Sequence, residues 1–348
     1  MNGTNTMIRQ RIHRWKSVAR LTLRLSSLHW ARVVHDFGHD RQPLRGNRGT
    51  GALYIPGISA ALRPGAHDFM IEGLVLVNSL LAAGASFTPR DDGAFEIEIG
   101  GVRALARTKE DLFILDEIHA KGVYDLRVPG DAVLLLDVGM NVGHASLYFA
   151  AKMSDLRIVA FEPLAPTFAR AQENLTLNPK LAGRIAAVNV GLSAADGACE
   201  VQYSTRTPGL VSVFGLPADL PDRGSTTRQK IVLRDAAAVL DEVRVAHPAR
   251  RIVMKVDCEG AEYDILRRLA ETSRLTHVDA LLIEWHRLRP EHDPAALRDL
   301  LVTEGFVCVL QHQHADVGTL YAVRPVADAI SETAKGAAPL AESSLPAF

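Results

Sequence analysis

The chain reads as an α/β fold: a mostly parallel, seven-stranded sheet covered by helices on both faces, preceded by a helical and hairpin extension. Three observations predict it. Apolar runs recur at 133–138, 157–161, 185–190, 252–257, 279–285, 306–310 and 317–323. Stretches of helical periodicity at 143–153, 164–177, 235–246, 261–271 and 294–304 separate most of them, and such alternation is the pattern of a parallel sheet buried on both sides. Only Gln311–Asp316 lies between the last two runs, too little for a crossover helix, so the last strand should run antiparallel.

Bulk properties narrow the class. The 348 residues are 47% hydrophobic and 23% charged, as in an ordinary globular protein. A net charge of −1 gives no global field for nucleic acid. Three widely spaced cysteines, Cys199, Cys258 and Cys308, exclude a disulfide framework or a CxxC zinc site and fit a reducing compartment. The oiliest stretch, Phe69–Phe87, is interrupted by Glu72 and Asn78 and reads as a buried helix, not a membrane span. No apolar core with a cleavage site follows the first cations, so the expected address is cytoplasmic.

From the N-terminus, Arg9, Arg11, Arg14, Lys16, Arg20, Arg24 and Arg32 precede the first acid, Asp36, with Ile8, Ile12, Trp15, Val18, Ala19 and Leu23 at roughly helical spacing. Two readings stand: a terminal helix packed on its own domain with solvated arginines, or a basic amphipathic helix giving peripheral contact with an anionic membrane. Residues 38–65, rich in Gly, Pro and Arg, read as a loop. A helix is expected over 68–83. Two alternating runs in Phe95–Ala106, joined by Gly100-Gly101, read as a hairpin. Glu110–Lys121 reads as a helix ended by Gly122. The chain thus divides into an extension (1–90), a main domain (91–325) and a tail (326–348) too poor in bulky residues to order itself.

The chemistry gathers at strand ends, where doubly wound sheets bind ligands. The first strand ends in DVGMNVG, Asp137–Gly143. A dinucleotide fingerprint needs glycine where Asn141 and His144 stand, and Asp137 would repel a pyrophosphate. No Gly-Lys-Ser/Thr follows, so a P-loop is excluded. A carboxylate there suits a cationic ligand such as S-adenosylmethionine. Gly139 and Gly143 would let its methionine part lie on the loop, and Asp137 and Asn141 would hold its polar end or order a water there. The second strand ends on Glu162 and Pro163, 23 residues past Gly139, where an acid accepts from both hydroxyls of a ribose. Leu192 and Ser193, after the third strand, are placed for the adenine. Asp257 and Glu259 follow the fourth strand, and Glu284 and His286 end the fifth.

The series DVGMNVG, FEP, NLTLNP, VGLSAADG, KVDCEGAEYDIL and LLIEWH, with the lead-in ILDEIHAKGVYD, resembles the FkbM family of S-adenosylmethionine-dependent methyltransferases over residues 111–323. Cys258 stands where that family more often has an aliphatic residue. The resemblance implies a class I methyltransferase core and O-methylation of a sugar or natural-product hydroxyl, so the partners expected are a small-molecule or glycan acceptor and the cofactor, with no nucleic acid. Residues 1–90 carry no resemblance and say nothing of the acceptor or of oligomeric state.

A hydroxyl must lose its proton as it attacks, and His286, which titrates near neutrality, is the first choice of base. Asp257 and Glu259 are alternatives or partners, and His144 ranks lower. Another reading has Asp257, Glu259, Glu284 and His286 holding a divalent metal. A third is a methyltransferase-fold binding protein without catalysis.

Overall fold

In the computed structural model, residues 14–325 are described apart from 15, 126–131, 205–210, 213–225 and 313. Arg9 and Arg11, Trp15 and the expected disordered tail at 326–348 lie outside the described residues.

The main sheet consists of β1 (Val133–Val138), β2 (Arg157–Phe161), β3 (Ile185–Val188), β4 (Arg251–Val256), β5 (Ala280–His286), β6 (Val307–His312) and β7 (Val317–Val323). Their spatial order is β6-β7-β5-β4-β1-β2-β3. β1 to β5 pair in parallel, and β7 runs antiparallel between β5 and β6. The strands are legible because both faces are buried. Leu134, Leu136 and Val138 of β1 pack into the core on one face, and Val133 and Leu135 into the core on the other. The first core takes in α3 (Ala236–Ala246), α4 (Glu262–Glu271) and α5 (Pro294–Thr303); the second takes in α1 (His144–Lys152) and α2 (Ala165–Leu177).

Two features depart from the sequence reading. Between β3 and α3 the chain adds a second sheet, ordered 211–212, 197–204, 226–235 and 191–193, which puts Val201, Ile231 and Leu233 beside Leu192. The helix expected over 110–121 is α-helical only over Lys109–Leu115 and continues as a π-helix over Asp116–Ala120. Thr108 and Asp111 form the capping box that starts it. A π-helix widens the turn and re-aims its side chains, which is why such segments concentrate at functional sites.

The N-terminal half is built on its own core, which runs from Val18 to Leu115 across the expected boundary at residue 90. It includes the hairpin Phe95–Ile99 and Val102–Ala106, a third strand Ser86–Pro89, and helices Leu28–Asp36, Asp68–Glu72 and Leu74–Ala82. Val18, Leu21 and Leu25 of the first helix are buried in it, while Lys16, Arg20 and Arg24 are exposed. The two halves are joined by the asparagines of NLTLNP. Asn174 Oδ1 accepts from Leu105 N at 2.8 Å, and its amide donates to Val142 O at 2.8 Å. Asn178 Oδ1 accepts from Arg103 N at 2.9 Å. Buried amides of this kind must be fully paired, and here one helix pins both the hairpin and the turn after β1.

Candidate active site

A cleft of about 300 Å³ runs along the carboxyl ends of the parallel strands. Sheet order lays its lining out in a row: Glu284 and His286 from β5, Asp257 and Glu259 after β4, Gly139 and Asn141 after β1, Glu162 and Pro163 after β2, then Leu192 beyond β3. The second sheet extends the apolar end with Val201, Ile231 and Leu233. Glu110, Phe113, Ile114 and Glu117 bring the N-terminal half into the wall. A smaller recess of about 60 Å³ shares Glu117, Asn141, Asp257 and Glu284 with the cleft and adds Tyr124, His144 and Tyr321. Ser193 does not line the cleft; it pairs in register with Asp235 in the second sheet. His144 is buried in the recess wall, and burial lowers its pKa to about 4.

Glu162 stands as expected at the end of β2. Its Oε2 accepts from Asn141 N at 3.0 Å and its Oε1 from Leu164 N at 2.8 Å. Each oxygen keeps a second lone pair, so the group can still receive two hydroxyls. Burial pushes its pKa up to about 7, against the pull of those two backbone bonds.

Asp137 has a different role from the one expected. It has no exposed surface. Its Oδ2 accepts from Ser146 Oγ at 2.6 Å, and its Oδ1 lies 3.4 Å from Lys255 Nζ. Lys255 in turn donates to Gly139 O at 2.7 Å and sits 3.2 Å from Asp257 Oδ2. Asp137 therefore anchors the loop from behind instead of meeting a ligand. Gly139 is likewise required by the protein itself. With φ +83°, a Cβ there would lie 1.8 Å from Asp257 O, so the backbone that comes close is the end of β4. Gly143 shares the left-handed φ, +85°, but a Cβ would come no nearer than 3.6 Å to Ala171.

At the β4–β5 end, Glu259 sits at φ +50°, strained for a non-glycine residue. Burial pushes its carboxyl up to about 7 and that of Glu284 up to about 8. Burial alone would lower His286, but the bond with Glu262 and the charges of Glu259, Glu262 and Asp257 outweigh it and raise its pKa to about 10. An imidazole acts as a base only when neutral, and the surrounding acids favour the protonated ring, which speaks against His286 as the base expected from sequence. Among the described residues no three His, Cys, Asp or Glu side chains are grouped as they stand to hold a metal ion.

The donor set fits S-adenosylmethionine. An apolar wall for a base, an acid with free lone pairs for a ribose and a carboxylate-rich end for a sulfonium and an ammonium follow one another along the strand ends. Leu192 and Pro163 would hold the adenine side, Glu162 the ribose, and Asn141 with Asp257 the methionine part. Sequence reasoning passed over Lys255, Glu262 and Glu117. The first left a signal, since a lysine inside the buried strand RIVMKV must be paired.

The fold is that of a class I methyltransferase. Residues 137–308 match the methyltransferase FkbM domain, and this part of the chain belongs to the FkbM methyltransferase family. The chain is 30% identical over 277 residues to the AMB antimetabolite synthetase AmbE of Pseudomonas aeruginosa, covering 68% of this chain and 13% of that protein. It is 26% identical over 211 residues to Methyltransferase 1 of Beauveria bassiana, covering 57% of this chain and 82% of that one. A solved FkbM methyltransferase from Methylobacillus flagellatus aligns over 73% of this chain and 59% of its own length, with 15% identity and a TM-score of 0.40.

Proposed function

We propose that the chain is an S-adenosylmethionine-dependent O-methyltransferase acting on a hydroxyl of a sugar or natural-product-like acceptor. The observation that carries this reading is the row of strand-end groups, which puts Glu162 and the acidic β4–β5 end on one cleft. Among the described residues that cleft is lined by six carboxylates and one histidine, without lysine or arginine. Among the described lining residues the one cationic group, His286, already faces Glu259 at 3.7 Å, so the lining favours an uncharged hydroxyl compound over a phosphorylated one. AmbE is an antimetabolite synthetase, which supports a small-molecule acceptor. The described part of the basic N-terminal helix buries Val18, Leu21 and Leu25 in its own core while Ala19 and Leu23 are exposed, and the burial of the first three favours a packed helix with a solvated basic face over membrane contact.

When bound, the cofactor supplies a methyl group already activated by the sulfonium. The chain's task is positioning, which can contribute on the order of 7–11 kcal/mol, and removal of the acceptor's proton, which typically adds about 10²–10⁴-fold. Of the three residues expected to take that proton, Glu259 is best placed. It lines the cleft, its pKa of about 7 lies at the working pH, and Asp257 is committed to Lys255. The test uses cofactor carrying a ¹³C-methyl group, incubated with the protein and an extract of small molecules. The carbon shift of the labelled product should report a methyl ether; an N- or C-methyl product would overturn the hydroxyl assignment.

A further inference from the structure

Behind His286 stands a carboxylate that the mechanism above does not use. Glu262, in the first turn of α4, has no exposed surface. Its Oε1 accepts the backbone N–H of His286 at 2.7 Å and lies 3.3 Å from the ring Nδ1. Its Oε2 accepts the backbone N–H of Gly260 at 2.8 Å. One side chain thus ties together the end of β5, the turn after β4 and the imidazole. The ring's Nε2 lies 3.7 Å from Glu259 Oε2, at the cleft.

The chemistry of this arrangement requires an acceptor on both arms. Gly260 N–H and His286 N–H point at opposite oxygens, and a glutamine would turn an NH₂ toward one of them. Only a carboxylate offers two acceptors, and the same oxygen that holds the backbone of His286 then faces Nδ1, which must carry its proton to be satisfied. The groups facing the ring are Glu262 from α4, Glu259 from the turn, Asp257 from the end of β4 and Glu284 from its own strand. All four are acids.

We infer that Glu262 is a positioning residue that holds His286 as an imidazolium beside Glu259, leaving Glu259 to exchange the acceptor's proton. The inference rests on the methyltransferase reading. As the acceptor oxygen bonds to the methyl carbon and the carbon–sulfur bond breaks, the hydroxyl proton passes to the Glu259 carboxylate and from there to solvent. His286 keeps both its protons throughout and steadies the Glu259 charge before transfer. A purely structural Glu262 would leave the pH dependence of methyl transfer untouched.

The experiment is an NMR titration of the ring-labelled histidines in the full chain, with the His286 resonance identified by its loss in His286→Gln. In the unaltered protein His286 should stay protonated through pH 8. In Glu262→Gln, which removes the charge, its proton affinity should fall about 100-fold, bringing the midpoint down from about 10 to about 8. The pH optimum of methyl transfer should shift with it, in kcat more than in KM. Titration of His286 near its ordinary value in the unaltered protein overturns the inference even if Glu262→Gln does not fold, and so does an unchanged midpoint in that variant. Calorimetry with S-adenosylhomocysteine on the same samples judges the methyltransferase reading separately: no binding by the unaltered protein sinks that reading, while the titration still decides the role of Glu262.

Discussion

Gly139 and Gly143 offer a controlled comparison within one loop. Both adopt left-handed backbone, at φ +83° and +85°, and an alanine in that conformation costs about 1–2 kcal/mol. The stiffer unfolded chain returns part of this, about 0.4–1 kcal/mol. Gly143→Ala meets nothing nearer than 3.6 Å, so its net cost should be about 1 kcal/mol. Gly139→Ala bears the same conformational cost and also drives its Cβ to 1.8 Å from Asp257 O. That carbonyl cannot swing aside freely, because Asp257 N donates to Val138 O at 3.0 Å and fixes the ends of β1 and β4 together. Relief requires the two strand ends to part by more than 1 Å, which breaks that bond and the Lys255 contact to Gly139 O. A cost of roughly 3–4 kcal/mol follows, in the range of buried-network disruptions. Urea unfolding, with Trp285 on β5 as the fluorescent reporter, measures both variants, and S-adenosylhomocysteine affinity should fall far more for Gly139→Ala. Equal costs for the two substitutions would refute the claim that close approach of β4 is what fixes the glycine.

Stability should decline as pH rises from about 6.5 to 10; below that, His119 and His144, whose pKa values burial lowers to about 4, oppose the trend. Glu162, Glu259 and Glu284 have folded pKa values raised above the ordinary carboxyl value, so the fold holds extra protons that are lost as pH climbs through about 7 to 8. His286, raised to about 10, contributes stability that is full below its ordinary value and disappears as pH passes about 10. A thermal midpoint that rises over this range contradicts the assignment, and Glu162→Gln should flatten its lower half. Lys255→Met leaves Asp137 and Asp257 without their common cation and should cost about 3–5 kcal/mol, seen as an early unfolding transition. Thorough chelation should leave methyl transfer unchanged, since the four acidic and histidine side chains of the β4–β5 end do not converge as ligands; loss of activity restored by Mg²⁺ or Mn²⁺ would contradict this.

The main sheet was legible because its strands are buried on both faces, leaving continuous apolar runs such as VLLLDV. The second sheet was not. Its long strand, TTRQKIVLRD, carries charges on one side, and only pairing with GACEVQYS makes it a strand. In the site, Glu162 could be found by spacing alone, since its partners lie in the neighbouring loop. Asp137 was misassigned because what occupies it, Lys255, is distant in sequence and reaches it only across the β1–β4 pairing. His286 lies on the cleft, but its proton affinity depends on Glu262 from another element, which its own stretch of sequence does not show. Identity and position are local properties of the sequence; the charge on a group belongs to its neighbours.

The shared wall of the cleft has a mechanical meaning. The family domain matches residues 137–308, yet Glu110, Phe113, Ile114 and Glu117 of the same wall come from before it. Asn174 and Asn178 tie the hairpin that precedes these residues to the helix after β2. Any shift of the front half on those two asparagines therefore moves one wall of the cleft against the other, and the width of the cleft is set by a hydrogen-bonded joint outside it.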